Sequence, residues 1–150
     1  MWNVNSATLE DISSWMNLVE KVRLNFPGLE TENDINEYKN TVIKNVNRKT
    51  ALCVKNGSKL VGILIYSIRQ KRIGCMAVDP EYRQRGIGSK LIREMLKNFQ
   101  SGDEITVSTF RDNDDKGIAP RAMYKRLGFE EKELCTEFNY PHQIFKLKML

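Results

Sequence analysis

The residues best placed to do chemistry lie in Val78-Asp79-Pro80-Glu81-Tyr82-Arg83-Gln84-Arg85-Gly86-Ile87-Gly88-Ser89-Lys90-Leu91. An apolar run ends at Val78, a basic loop follows, and an amphipathic helical pattern starts at once. Gly86 and Gly88 stand one residue apart, and without Cβ atoms they let the backbone come close to a ligand. A helix start presents unpaired N–H groups and the positive end of a dipole. Arg83, Arg85 and Lys90 add positive charge at the same point. The residues Arg83, Gln84, Arg85, Gly86, Ile87, Gly88 and Ser89 therefore suit a phosphate-bearing ligand.

The glycine spacing narrows the kind of phosphate site. A dinucleotide fingerprint needs a third glycine where this chain has Leu91. A Walker-type loop needs four residues between its glycines, and Gly86 and Gly88 are too close. What remains, Arg83-x-x-Gly86-x-Gly88 preceded by Val-x-Pro, resembles the acetyl-CoA pyrophosphate motif of the GNAT superfamily of N-acetyltransferases. Tyr124-Lys125-Arg126-Leu127-Gly128-Phe129 resembles that family's second hallmark, a Tyr followed by Gly-Phe at the end of a short helix. The two motifs stand in the expected order with a strand-sized segment between them, and the resemblance covers most of the chain.

The resemblance implies acetyl-CoA as co-substrate, no metal, and a primary amine acceptor that attacks directly. It also implies that the strand ending at Val78 and the next strand splay apart around the pantetheine arm. Ala77 and Val78 would then offer backbone hydrogen bonds, one of them polarising the thioester carbonyl. Tyr124 is the implied general acid, since a phenol with a pKa of about 10 keeps its proton at neutral pH. The chain departs from the family where an Asn and an Ala are common, with Gly117 and Pro120 there. A general base is missing from the mid-strand positions. Asp79 and Glu104 flank strands, neither placement convinces, and a water relay is expected. Cys75 is either an acylated nucleophile or, the commoner case, a buried structural thiol. Asp112 to Gly117 lacks two ligands of a calcium loop.

The acceptor is expected opposite CoA, between the turn joining the first two helices and the connection of the final strands. Phe26, Glu30, Glu32, Glu137 and Tyr140 would line that mouth. Aromatics and carboxylates together favour a small cationic amine. Glu30 and Glu32 equally suit the N-terminal end of the second helix. The rival reading is a non-catalytic acyl-CoA-binding module, but it does not require Tyr124. A nucleic-acid binder should show basic residues interleaved with exposed aromatics, and no such stripe is evident.

Composition agrees with an enzyme of this size. The 150 residues suit one domain, 1–150, and carry a formal charge of +5. No apolar run is long enough for a membrane span. Met1-Trp2-Asn3-Val4 leads into polar sequence rather than a signal peptide. Three scattered cysteines suggest free thiols and a cytoplasmic setting. Oligomeric state is not legible, although a homodimer is compatible with the family.

The elements that position these residues follow from periodicity. Trp2 to Asn5 reads as a short strand. Thr8 with Asp11, and Thr31 with Asp34, have capping spacing ahead of two helical patterns. Ala51 to Val54, Leu60 to Ile68 and Ile73 to Val78 read as strands, with Asn56-Gly57 a hairpin signal. Ile87 to Phe99 is helical, Ile105 to Phe110 a strand, and Pro120 to Gly128 brackets a short helix. Thr136 to Phe138 and Ile144 to Leu147 read as a final strand pair. The order predicts a mixed α/β domain, with a central, mostly antiparallel sheet of about seven strands flanked by four helices, as the GNAT resemblance also implies.

Overall fold

A computed structural model describes residues 2–150. The elements run β1 (Val4–Ser6), α1 (Ile12–Val22), α2 (Glu32–Arg48), β2 (Ala51–Asn56), β3 (Lys59–Ser67), β4 (Arg72–Val78), α3 (Ile87–Leu96), β5 (Glu104–Phe110), α4 (Ile118–Arg126), β6 (Glu130–Glu137) and β7 (Tyr140–Lys148). Both predicted capping boxes form. The Thr31 hydroxyl accepts from the Asp34 N–H at 3.0 Å, and the Asp34 carboxylate accepts from the Thr31 N–H at 3.1 Å. The Asp11 carboxylate likewise accepts from the Thr8 N–H at 2.8 Å. Lys49, in the left-handed region with φ of 63°, closes α2.

The strands make one sheet in the order β1-β2-β3-β4-β5-β7-β6. Among the described residues, only β4 and β5 pair in parallel. The unbroken apolar run of β3 lies inside the sheet, buried on both faces. On one face α1 and α2 bury Trp15, Val19 and Val42 against Ile63 and Ala77. On the other, α3 and α4 bury Ile87, Leu91 and Tyr124 against Leu64, Tyr66 and Phe145. Among the described residues, no helix is long and apolar enough to cross a membrane.

The end of the chain corrects the sequence reading. The penultimate strand begins at Glu130, not Thr136, and Phe138 lies outside it. Phe138 and Asn139 form the hairpin turn, with φ of 52° and 59°. Two consecutive left-handed residues match the right-handed twist of the flanking strands. β6 escaped periodicity because Glu130-Glu131-Lys132-Glu133 is charged and does not alternate, as befits an edge strand. The first strand is also displaced, to Val4–Ser6. Helix α3 ends at Leu96 rather than Phe99.

One irregularity shapes the centre. β4 and β5 pair only at Arg72↔Thr106 and Ile73↔Val107. Opposite β3, Ile65 faces Cys75 while Tyr66 faces Ile73, so Gly74 is an extra, bulged residue. A bulge bends its strand and increases the local twist. β5 meanwhile stays paired with β7 from Glu104 to Phe110. The two central strands therefore part after Ile73 and leave a V-shaped gap.

Candidate active site

Helix α3 starts at the open end of this gap. Its cap position is Gly86, with φ of 80°, and no side chain caps the helix. The first helical bond runs from the Lys90 N–H to the Gly86 carbonyl at 3.1 Å. The N–H groups of Ile87, Gly88 and Ser89 precede it and are left for an anion. Gln84 is also left-handed, with φ of 61°. No atom lies within 4 Å of a Cβ built on Gly86, so its glycine serves the backbone conformation and leaves the approach open. Gly88 is close-packed instead, a Cβ there lying 2.9 Å from Met123 Sδ on α4. Arg83, Gln84 and Arg85 are exposed around the loop, and Arg85 stacks over the Tyr82 ring at 5.0 Å. Ile87 contributes only its N–H, because its side chain is buried in the core.

Asp79 anchors the loop. Its carboxylate is fully buried, accepts from the Glu81 N–H at 3.0 Å, and pairs with Lys21 at 2.9 Å. Burial would raise its pKa, but the Glu81 N–H and the Lys21 ammonium hold it below the ordinary carboxylate range.

The ladder decides which backbone groups of β4 face the gap. The Asp79 N–H donates to the Val61 carbonyl at 2.8 Å, and Val78 stands opposite Gly62. In an antiparallel ladder this makes Val78 and Met76 the residues whose N–H and C=O turn away from β3. The Val78 backbone thus faces the gap. The Ala77 backbone is turned to β3, and that of Met76 faces the gap.

Tyr124 stands on α4, buried in the core and near Cys75 of β4. Gly128, with φ of 100°, lets the Phe129 N–H fold back onto the Tyr124 carbonyl at 3.0 Å. The Phe129 ring then packs on Tyr124 with centroids 5.5 Å apart. Burial, with Cys75 nearby, pushes the Tyr124 phenol well above its ordinary pKa, so it is protonated at neutral pH. Cys75 lies 3.4 Å from the Tyr38 hydroxyl, which accepts from Trp15 Nε1 at 3.1 Å. Burial raises the Cys75 pKa too, which favours the thiol over the thiolate.

The expected acceptor residues divide between two cavities. Phe26, Glu30 and Tyr140 line one cavity of about 480 Å³ together with Glu20, Arg23 and Lys116. Glu30 accepts from the Gly28 N–H at 3.1 Å, and the exposed Glu32 lies 3.7 Å from Arg23. The Tyr140 hydroxyl donates to Asp114 at 2.6 Å. Glu137 lines a second cavity, of about 590 Å³, with Arg48, Ile65, Arg72 and Gly74. The two loops do meet: a Cβ on Gly28 would lie 2.6 Å from the Phe138 ring.

Sequence reasoning missed Arg72, Ser108 and Arg121. Arg72 and Ser108 both donate to Glu137, at 2.7 and 3.1 Å. Buried Arg121 donates to the Phe110 carbonyl and to Gln143, fixing α4 on the sheet. No local signal marks these contacts, which join residues far apart in the chain. Gly117, where the family often has Asn, allows close packing, since a Cβ there would lie 3.0 Å from Phe110.

Comparison with known proteins agrees with this geometry. Residues 47–131 match the family described as "Acetyltransferase (GNAT) domain". An uncharacterized N-acetyltransferase of Methanocaldococcus jannaschii is 40% identical over 57 residues, 38% of this chain and 24% of that protein. The N-alpha-acetyltransferase RimI of Mycobacterium tuberculosis is 40% identical over 63 residues, 42% of this chain and 37% of that protein. These matches thus span well under half of either relative. Among solved structures, a GNAT-family acetyltransferase of Bacillus cereus aligns with a TM-score of 0.77 at 22% identity, covering 100% of this chain and 99% of that one. The PaiA N-acetyltransferase of Thermoplasma acidophilum, solved with coenzyme A, aligns at 0.70 with 18% identity and 99% coverage of both chains. The uncapped helix start, the parted strands and the family match together establish that this chain belongs to the GNAT acetyltransferase family.

Proposed function

We propose that this chain transfers an acetyl group from acetyl-CoA to a primary amine, by direct attack of the amine on the thioester. The observation that carries the proposal is the parting of β4 from β5 beside the uncapped start of α3. The free N–H groups of Ile87, Gly88 and Ser89 suit a pyrophosphate, and Arg83 and Arg85 add charge. The outward backbone groups of Met76 and Val78 suit an extended amide-bearing arm, which they would bind as a neighbouring strand does. Tyr124 holds the proton that a departing thiolate requires.

The acceptor is a small cationic amine. Glu137 supports this, as a partly exposed carboxylate beside the gap that Arg72 and Ser108 engage through Oε1 alone. Glu30 and Glu32 support it less, because the Gly28 N–H and Arg23 already engage them. An acetylation screen over a panel of amines, read by release of free CoA thiol, tests the reading. Cationic primary amines should be the best acceptors, and good substrates that were only neutral or anionic would refute that class. Gly86→Asp puts a negative side chain where a pyrophosphate should bind. Equal acetyl-CoA affinity of a folded Gly86→Asp protein and the wild type, measured by calorimetry, would refute the loop assignment.

A further inference from the structure

We infer that Glu137 is the general base that takes a proton from the acceptor amine, an inference that rests on the amine-acetylation reading above. Its position is the first argument. Arg72 belongs to one of the two residue pairs that still join β4 to β5, and Ser108 is the first β5 residue past the last pair. Glu137 accepts from both, Arg72 Nη2 at 2.7 Å and Ser108 Oγ at 3.1 Å. Its carboxylate therefore sits at the apex of the gap. Gly74, the first β4 residue past the pairing, lines the same cavity.

The two carboxylate oxygens are the second argument. Both donors address Oε1. Oε1 is thereby fixed, while Oε2 remains for a proton in a side chain that is 30% exposed. A base held by one oxygen and free at the other is oriented without being used up. Other charged or titratable groups on the surrounding elements are Arg72 on β4, Tyr66 on β3, Arg48 on α2, and Tyr140 on β7, whose hydroxyl is held by Asp114.

The other carboxylates considered are worse placed. Asp79 is sealed against Lys21. Glu104 opens β5 at the paired end, 3.9 Å from Lys146. Asp114 is engaged by the Tyr140 hydroxyl and the Lys116 N–H.

The step balances. The acceptor arrives as an ammonium and gives one proton to Glu137 Oε2. Its nitrogen forms the C–N bond to the thioester carbonyl carbon, and the C–S bond breaks. The leaving sulfur takes the Tyr124 proton. The nitrogen loses a second proton, which restores Tyr124 through solvent, and Glu137 releases its own to bulk water. The products are an amide, free CoA thiol and one proton.

The test compares wild type, Glu137→Gln and Glu137→Asp with the best amine of the panel, after calorimetry has verified acetyl-CoA binding by each. At neutral pH, Glu137→Gln should lose roughly 10² to 10⁴ in kcat/KM. Glu137→Asp, which keeps a carboxylate, should lose much less. Raising the pH toward an alkylamine pKa of about 10 should close the Gln deficit by about tenfold per unit, because the amine then arrives neutral. An acceptor already neutral at pH 7 should be acetylated by Glu137→Gln at close to the wild-type rate. A deficit that stayed constant with pH, or no deficit, would overturn the base while leaving amine acetylation intact. Loss of acetyl-CoA binding in both variants would make Glu137 structural and overturn it too. A wild type that acetylates no primary amine overturns the amine reading and this inference together.

Discussion

Gly62 lies on β3, away from the ligand-facing loop, yet it should control acetyl-CoA affinity. A Cβ built there falls 2.5 Å from Ile87 Cγ2 and 3.2 Å from Leu91 Cδ1. Both side chains are fully buried, and Ile87 is the first residue of α3. Carbon atoms pack at about 3.5–4.0 Å, so Gly62→Ala demands a shift of about 1 Å. Ile87 is β-branched and stiff, so its methyl cannot swing aside within its rotamer. The helix start must move off the sheet and carry the N–H groups of Ile87, Gly88 and Ser89 with it. Overpacking of this kind costs about 1–3 kcal/mol. In a domain of this size that lowers Tm by about 2–4 °C per kcal/mol. A misplacement of about 1 Å can cost up to 10²-fold in function. Calorimetric titration of acetyl-CoA should therefore show a Kd raised tenfold or more in a protein that still folds. Gly57→Ala is the control, because its Cβ meets nothing within 4 Å and its φ of 65° is merely strained. It should lower Tm and leave Kd unchanged. An unchanged Kd in folded Gly62→Ala would refute the claim that the seating of α3 on β3 sets the anion site.

Two further predictions follow from the same geometry. Tyr124→Phe keeps the ring that packs on Phe129 and deletes the hydroxyl, so kcat should fall roughly 10² to 10⁴ while acetyl-CoA Kd changes little; an unchanged kcat on a verified amine would move the acid role to another group or to solvent. The Asp79 pKa is lowered in the fold, so the stability it contributes is fully present above the unfolded value of about 3.9 and is lost as pH falls through the lower folded value. Lys21→Met should therefore lower Tm at pH 7, and the gap from wild type should narrow below pH ~4; a gap independent of pH would show that the pair adds nothing beyond packing.

Much of the fold was legible in local pattern. Each capping box lies within four residues, so Thr8, Asp11, Thr31 and Asp34 mark helix starts without reference to anything distant. The Gly86-x-Gly88 spacing and the Gly128-Phe129 stop are equally local, since a left-handed φ and an exposed helix start are properties of a few consecutive residues. β6 was hidden because an edge strand can be charged throughout and still satisfy its backbone on one side.

The sequence by itself therefore determined where the glycine loop and Tyr124 lie along the chain, because their physical requirements are met by neighbours. The tertiary structure alone decided how they face one another. The gap exists because Gly74 bulges from β4 while β5 remains on β7; an isolated Gly in a strand signals a bulge, but not which neighbouring strand will part there. Glu137 looked like one of several acidic residues at a mouth. Its place at the apex depends on Arg72 and Ser108, which lie 65 and 29 residues away in the chain. Hydrogen bonds over such separations follow from sheet order and register, and these are settled only when the whole core packs.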